Sequence, residues 1–261
     1  MNERPRRRQP IRGIGVKAAN EVRRAIGYEH PTEMEIEVLA YMRGALVRSV
    51  PARGARANLL RVGERGVIGV GDRLSPEERR WAIAHELGHF EAHAGVSFLG
   101  LCSSRDMVSA YETSGREPEA NAFAAELLMP QDLFAKRCDV ARVTWDPIRG
   151  LANEFQVSVT AAALRFVTFT ADRVALVCMK DAVIQWCSAT RDFGERPARG
   201  ARVPAWSEAH AYFAGREAST KPETVSASAW CDDADDDEDM CEHLLPSPHL
   251  GSALSLLWRK T

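Results

Sequence analysis

One helix, signalled over residues 75–90, sets the strongest constraint on how this 261-residue chain can fold. Ser75-Pro76-Glu77-Glu78 is a strong helix start, with Ser75 as N-cap, Pro76 at the first helical position and Glu78 closing a capping box. Beyond it Trp81, Ile83, Ala84, Leu87 and Gly88 give the helix apolar or small surface, so it must be largely buried. Yet the same turns carry His85, Glu86 and His89, in the order His-Glu-Leu-Gly-His. Residues four apart on a helix are rotated by only about 40° and displaced by about 6 Å, so both imidazoles reach one metal ion from the same face. The Glu86 carboxylate then sits where it can take a proton from a metal-bound water, the minimal apparatus of a zinc hydrolase. The bland alternative, a surface helix carrying two histidines by chance, is opposed by the apolar surround.

A catalytic zinc takes three protein ligands and keeps one open position. His93 is too far along the same rigid helix, about 12 Å beyond His85, to join the other two around one ion. It reads as a polar residue near the helix end or a substrate-facing group. The better candidate for the third ligand comes 28 residues after His89, in a second helix that begins near Glu117 and stops at Pro130. Glu117 and Asn121 lie one turn apart on one face, and Ala120, Ala124 and Gly88 are small enough for the helices to approach closely. Asn121 is then able to orient a ligating imidazole through its side-chain oxygen. Ser114 and Glu117 also have capping-box spacing, so Glu117 has a purely structural alternative. Glu119 is the other candidate ligand; it points about 200° away, and Glu117 is favoured because only it has Asn121 on its own face.

These two blocks, Ala84-His-Glu-Leu-Gly-His89 and Glu117-x-x-Ala-Asn-Ala-Phe-Ala-Ala-Glu-Leu-Leu-Met-Pro130, resemble the ImmA/IrrE family of regulatory zinc metallopeptidases. The resemblance extends to Gly66–Val70 followed by Pro76–Trp81, to Leu151–Ser158 with Ala161–Phe166, and to Ala253–Trp258. It implies that His85, His89 and Glu117 are zinc ligands and Glu86 the general base, with Zn²⁺ as cofactor and Mn²⁺ also compatible with the donor set. It also implies a partner: an XRE-like helix–turn–helix repressor, cleaved at a defined site to relieve repression in a stress, DNA-damage or mobile-element response. The family often has Asp where Asn121 stands. Asn accepts a hydrogen bond but adds no charge.

The expected fold is α+β: a mainly helical, minimal zincin-like metallopeptidase domain with a small sheet, a helix–turn–helix-like segment, and a small β-rich C-terminal domain. The boundaries are 1–14 for a basic, disordered tail (Arg4, Arg6, Arg7, Arg8, Arg12), 15–145 for the peptidase domain, 146–170 for the helical segment and 171–261 for the last domain, a sensor or a dock for substrate. Helices are signalled at Lys17–Ala25 and Glu33–Arg43, the latter with Met34, Val38, Leu39 and Met42 at helical spacing and its Met and Leu residues as core. Leu59–Val62 and Val67–Val70 read as a hairpin, and Gly66, Val67, Ile68, Gly69 and Val70 as an exposed edge on which a substrate peptide adds a strand. After Pro130 come a short helix at Gln131–Cys138, a helix pair at Pro147–Phe155 and Val159–Val167, and a second hairpin at Arg173–Met179 and Val183–Ser188. The second helix of that pair offers only Arg165 as a phosphate contact, so packing is its expected role and direct DNA binding is not expected.

A net charge of −2 gives no global signal for nucleic acid. No apolar stretch reaches membrane-spanning length, and the N-terminus lacks the apolar core of a signal peptide. Six scattered cysteines (Cys102, Cys138, Cys178, Cys187, Cys231, Cys241) therefore read as reduced thiols of a cytoplasmic protein. The acidic run Asp232–Asp239 lacks the Gly and terminal Glu of a calcium loop, and Cys231, Cys241 and His243 make only a weak second metal pattern. Tyr111 and His93 are the candidates for stabilising an oxyanion. Two rival readings remain: a DNA-binding regulator whose metal only holds the fold, and a toxin–antitoxin-like module acting by contact with its partner.

Overall fold

The computed structural model of the protein describes residues 13–51, 56–92, 99–102, 115–231, 234–235 and 238–259. They fall into two compact units, 13–134 with 152–161 and 135–151 with 162–259. The first contains helices α1 (Ile14–Ile26), α2 (Ile36–Met42), α3 (Pro76–Ala92), α4 (Arg116–Leu128) and α5 (Gln131–Phe134), with strands β1 (Ala45–Val50), β2 (Ala57–Val62), β3 (Arg65–Gly71) and β4 (Leu99–Cys102). Helices α6 (Trp145–Phe155) and α7 (Val159–Phe169) follow. The second unit adds β5 (Val174–Lys180), β6 (Val183–Ala189), α8 (Glu208–Phe213), β7 (Glu223–Ser226), β8 (Asp239–Ser247) and β9 (Ser252–Arg259). The fold is thus α+β with a β-rich C-terminal region. No described helix is long and apolar enough to cross a membrane, and no disulfide joins the described cysteines.

The sheet of the first unit has the order β1-β3-β2-β4, with β1 parallel to β3 and the remaining pairs antiparallel. Period-two alternation sends Ala57, Leu59, Ile68 and Val70 into the core, all at most 4% exposed. Helix α3 covers that face: a side chain at Gly66 would meet the Phe90 ring at 3.0 Å. This topology corrects the expectation for Gly66, Val67, Ile68, Gly69 and Val70. Strand β3 is not an edge, because β1 occupies one side of it and β2 the other. The sheet ends in β1 and β4, neither of them signalled in the sequence reading.

Helix α2 is also corrected. It starts at Ile36 rather than Glu33, and its inward stripe is Ile36, Leu39 and Ala40, while Val38 and Met42 are about half exposed. Both sets have helical spacing, so periodicity alone does not choose the buried face.

The start of α3 is as expected. Ser75 N–H donates to the Glu78 carboxylate at 3.0 Å, and Glu78 N–H donates to Ser75 Oγ at 3.2 Å. Five arginines fix the helix laterally. Arg43 grips Glu91, Arg56 reaches Glu78, Arg79 reaches Glu37, Arg80 donates to the Pro31 carbonyl, and Arg61 donates to the Phe90 carbonyl while lying over its ring. The Arg61 contact sets a cation on the C-terminal end of α3, where the helix dipole favours it.

Helices α6 and α7 are joined through Gln156, at φ +51°, Val157 and Ser158. From Ala161 to Val167 every residue of α7 but Leu164 is buried. Arg165 is 5% exposed, and its guanidinium lies 4.6 Å from the centre of the Phe169 ring. It is a packed residue, not a phosphate contact.

The second unit is a five-stranded antiparallel sheet of order β6-β5-β9-β8-β7. Residues Asp181 (φ +50°) and Ala182 (φ +58°) make the tight turn between β5 and β6. On the core side, Glu242 of β8 is fully buried and accepts four hydrogen bonds: from Glu208 N, Ala209 N, Trp230 Nε1 and Ser255 Oγ. Burial pushes this carboxyl up, against four donors that favour its charged form. His243, its neighbour in sequence, is held between Trp145 and the Thr220 carbonyl.

Candidate metal centre

The site is built by two helices at their closest approach. A Cβ on Gly88 of α3 would lie 3.0 Å from Ala120 Cα, Ala120 O and Phe123 Cβ of α4, so only glycine lets the two axes come this near. Across the contact, His85 and His89 project from α3 and Glu117 and Asn121 from α4. His85 Nε2 is 3.1 Å from Glu117 Oε2, His89 Nε2 is 3.2 Å from Glu117 Oε1, and the two Nε2 atoms are 3.1 Å apart. The imidazoles meet edge-on, with ring planes at 84°. Among the described residues this is the one group of three or more His, Cys, Asp or Glu side chains arranged to hold a metal ion.

The donor chemistry fits a cation. His85 Nδ1 lies 2.9 Å from Asn121 Oδ1, an atom that only accepts, so the ring proton sits on Nδ1 and the Nε2 lone pair faces the cluster. Lone pairs and a carboxylate facing one another at 3.1–3.2 Å repel unless something positive lies between them. Those separations also match the edges of a tetrahedron of metal–ligand bonds near 2.05 Å, about 3.3 Å.

Burial sharpens the electrostatics. His85 is 4% exposed and Glu86 fully buried, whereas about a third of the Glu117 side chain is open to solvent. Burial opposes charge on His85, yet a second ring proton, on Nε2 in place of a cation, would be held by the Glu117 carboxylate with Glu86 nearby, and this keeps its pKa above the ordinary value. Protons on the facing Nε2 atoms of His85 and His89 would be donated to Glu117, and this holds its carboxyl well below the usual range. A carboxylate ionised at any moderate pH is what a metal ligand requires.

The structure therefore brings together His85, His89, Glu117 and Asn121, with Glu86 adjacent on α3. Glu119 takes no part in the cluster. His93 and Tyr111 lie outside the described residues, and the strand Gly66–Val70 is interior to the sheet. The arginines that anchor α3 were not singled out from sequence, where an isolated Arg carries no signal of its partner.

Residues 43–167 match a family model described as Peptidase_M78, IrrE N-terminal-like domain. The structure is similar to that of a Mycobacterium tuberculosis transcriptional regulator, with a TM-score of 0.61 and 16% sequence identity, over 95% of this chain and 77% of that one. At that identity the likeness is one of fold. No curated protein matches the sequence.

Proposed function

Because residues 43–167 match the family model of IrrE N-terminal-like peptidase domains, we propose that the protein is a zinc-dependent, site-specific endopeptidase. Its substrate in this reading is a cytoplasmic, XRE-like helix–turn–helix repressor, cut to relieve repression during a stress, DNA-damage or mobile-element response. The observation that carries the reading is the convergence of His85 Nε2, His89 Nε2 and the Glu117 carboxylate beside a buried Glu86.

Zinc, when bound by those three residues, supplies Lewis acidity to a scissile carbonyl and acidity to a water. Glu86 accepts the proton of the attacking water and delivers it to the departing amine. Asn121 fixes the tautomer and plane of His85, so that Nε2 is available without reorganisation. The carbonyl clamp of Arg61 and the ion pair of Arg43 keep the end of α3 that bears His89 from swinging.

The rival reading as a DNA-binding regulator loses support from α7, which is buried where a recognition helix must be open. Mass spectrometry of a candidate XRE-like helix–turn–helix repressor, incubated with the protein with and without Zn²⁺, tests the proposal. Two discrete fragments are expected, absent without metal and absent with Glu86→Gln. An intact repressor under all conditions, with zinc bound stoichiometrically, would overturn it.

A further inference from the structure

The outward face of the four-stranded sheet is apolar where a solvated sheet face is ordinarily polar. Leu46, Val67 and Leu60 stand directly opposite one another across β1, β3 and β2. They are 38%, 39% and 46% exposed, and Val62, two residues along β2, is 72% exposed. Single exposed apolar side chains are normal; a contiguous row fixed by strand register marks an interface.

The charges on the outward face of these three strands have one sign. Arg48 follows Leu46 by two residues on β1 and Arg65 precedes Val67 by two on β3, so both share the outward face. Because β1 and β3 run parallel, with Leu46 opposite Val67, the two arginines lie on opposite sides of the row, displaced along the strands and about 14 Å apart. Both are exposed, and no carboxylate pairs with either among the described residues. The other outward positions of the three strands are Val50, Asn58, Gly69 and Gly71; none is acidic.

We propose that this face docks an amphipathic helix of a partner protein whose apolar stripe is flanked at both ends by carboxylates. An extended peptide gains little here, since the strands already satisfy one another's backbone groups and offer no ladder on a face. A helix satisfies its own backbone and needs only an apolar stripe; laid along the strands, it presents acids seven or eleven residues apart on one face, about 10–17 Å from each other, which brackets the 14 Å between the arginines. A second copy of this chain is a poorer occupant. Face-to-face stacking sets Arg48 and Arg65 against further arginines with no acid on the face to offset them. The docking face is independent of whether the metal centre cleaves its partner.

Selection of a displayed library of helical peptides against the full-length protein tests this. Enriched sequences are expected to carry an apolar stripe with Glu or Asp seven or eleven residues apart, and to lose about tenfold or more in affinity for Leu60→Glu. The double variant Arg48→Glu/Arg65→Glu is expected to enrich Lys- or Arg-flanked stripes instead. All these residues are exposed, and circular dichroism confirms the fold of each variant. No enrichment, stripes without acids, undiminished binding to Leu60→Glu, or sedimentation as a dimer that Leu60→Glu dissociates would each overturn the proposal.

Discussion

Asn121 Oδ1 and His85 Nδ1, on two different helices, meet at 2.9 Å, and this contact decides which nitrogen of His85 faces the metal centre. Replacing Asn121 with Leu keeps its size and removes the acceptor. Zinc affinity, read by competition with a chromophoric chelator, should fall about 10–100-fold. Asn121→Asp makes the imidazole more basic and should tighten zinc binding. Equal affinities in all three proteins would show that Asn121 has no part in ligand orientation.

Gly88→Ala forces a methyl against the Ala120 backbone and Phe123 at 3.0 Å, pushing α3 and α4 apart. A loss of about 1–3 kcal/mol in unfolding free energy is expected, together with weaker zinc binding because Glu117 moves with α4. Gly150→Ala in α6, where a Cβ would meet nothing within 4 Å, is the control. It should stabilise by about 0.5–1 kcal/mol in the same denaturant titration.

Removing the metal should lower the melting temperature in a zinc-dependent way, because only the folded chain gathers His85, His89 and Glu117. At a free zinc concentration one hundred times Kd the stabilisation is about 2.7 kcal/mol. Scanning calorimetry should find the zinc shift retained in Glu86→Gln and lost in His89→Ala.

His243 predicts a pH dependence of the second unit. Its Nδ1 accepts from Trp145 N at 3.3 Å and its Nε2 donates to the Thr220 carbonyl at 3.3 Å, an arrangement that needs the neutral ring. Burial pulls its pKa down; the Thr220 carbonyl and Asp146 oppose this, and Arg149 adds to it. A depressed folded pKa means that this stability is present above the ordinary imidazole range and is lost as pH falls through the folded value. Thermal melts between pH 8 and pH 5 should therefore decline more steeply for the native protein than for His243→Gln. Parallel declines would remove His243 as the cause.

Ala182 sits at φ +58° in the two-residue turn after Asp181, a conformation that glycine adopts without strain. Ala182→Gly should stabilise the second unit by about 0.5–1 kcal/mol, visible as a higher melting temperature. An unchanged or lower value would mean that lost packing of the methyl outweighs the relieved strain.

The two metal helices were legible because each carries its own punctuation: Ser75, Pro76 and Glu78 open one, and Pro130 closes the other. The small residues Gly88 and Ala120 also announced the helix contact. Strand order was not legible. The hairpin of β2 and β3 is a local event with a two-residue turn, but β1 pairs with β3 in parallel across some 20 residues, and nothing in Ala45–Val50 names its partner. That single omission turned an interior strand into a presumed edge. The burial of Glu242 was illegible for a similar reason, since its four donors come from three separate segments.

The parallel pairing of β1 also dictates a sequence of events in time. The β2–β3 hairpin closes a short loop and can form in microseconds, whereas β1 can join only once β3 already presents a ready side. Assembly thus runs from the middle of the sheet outwards, and disassembly in reverse. In deuterated water the amides of Ala45–Val50 should exchange before those of β3, so that β1 loosens while the interior strands under the metal helix stay closed.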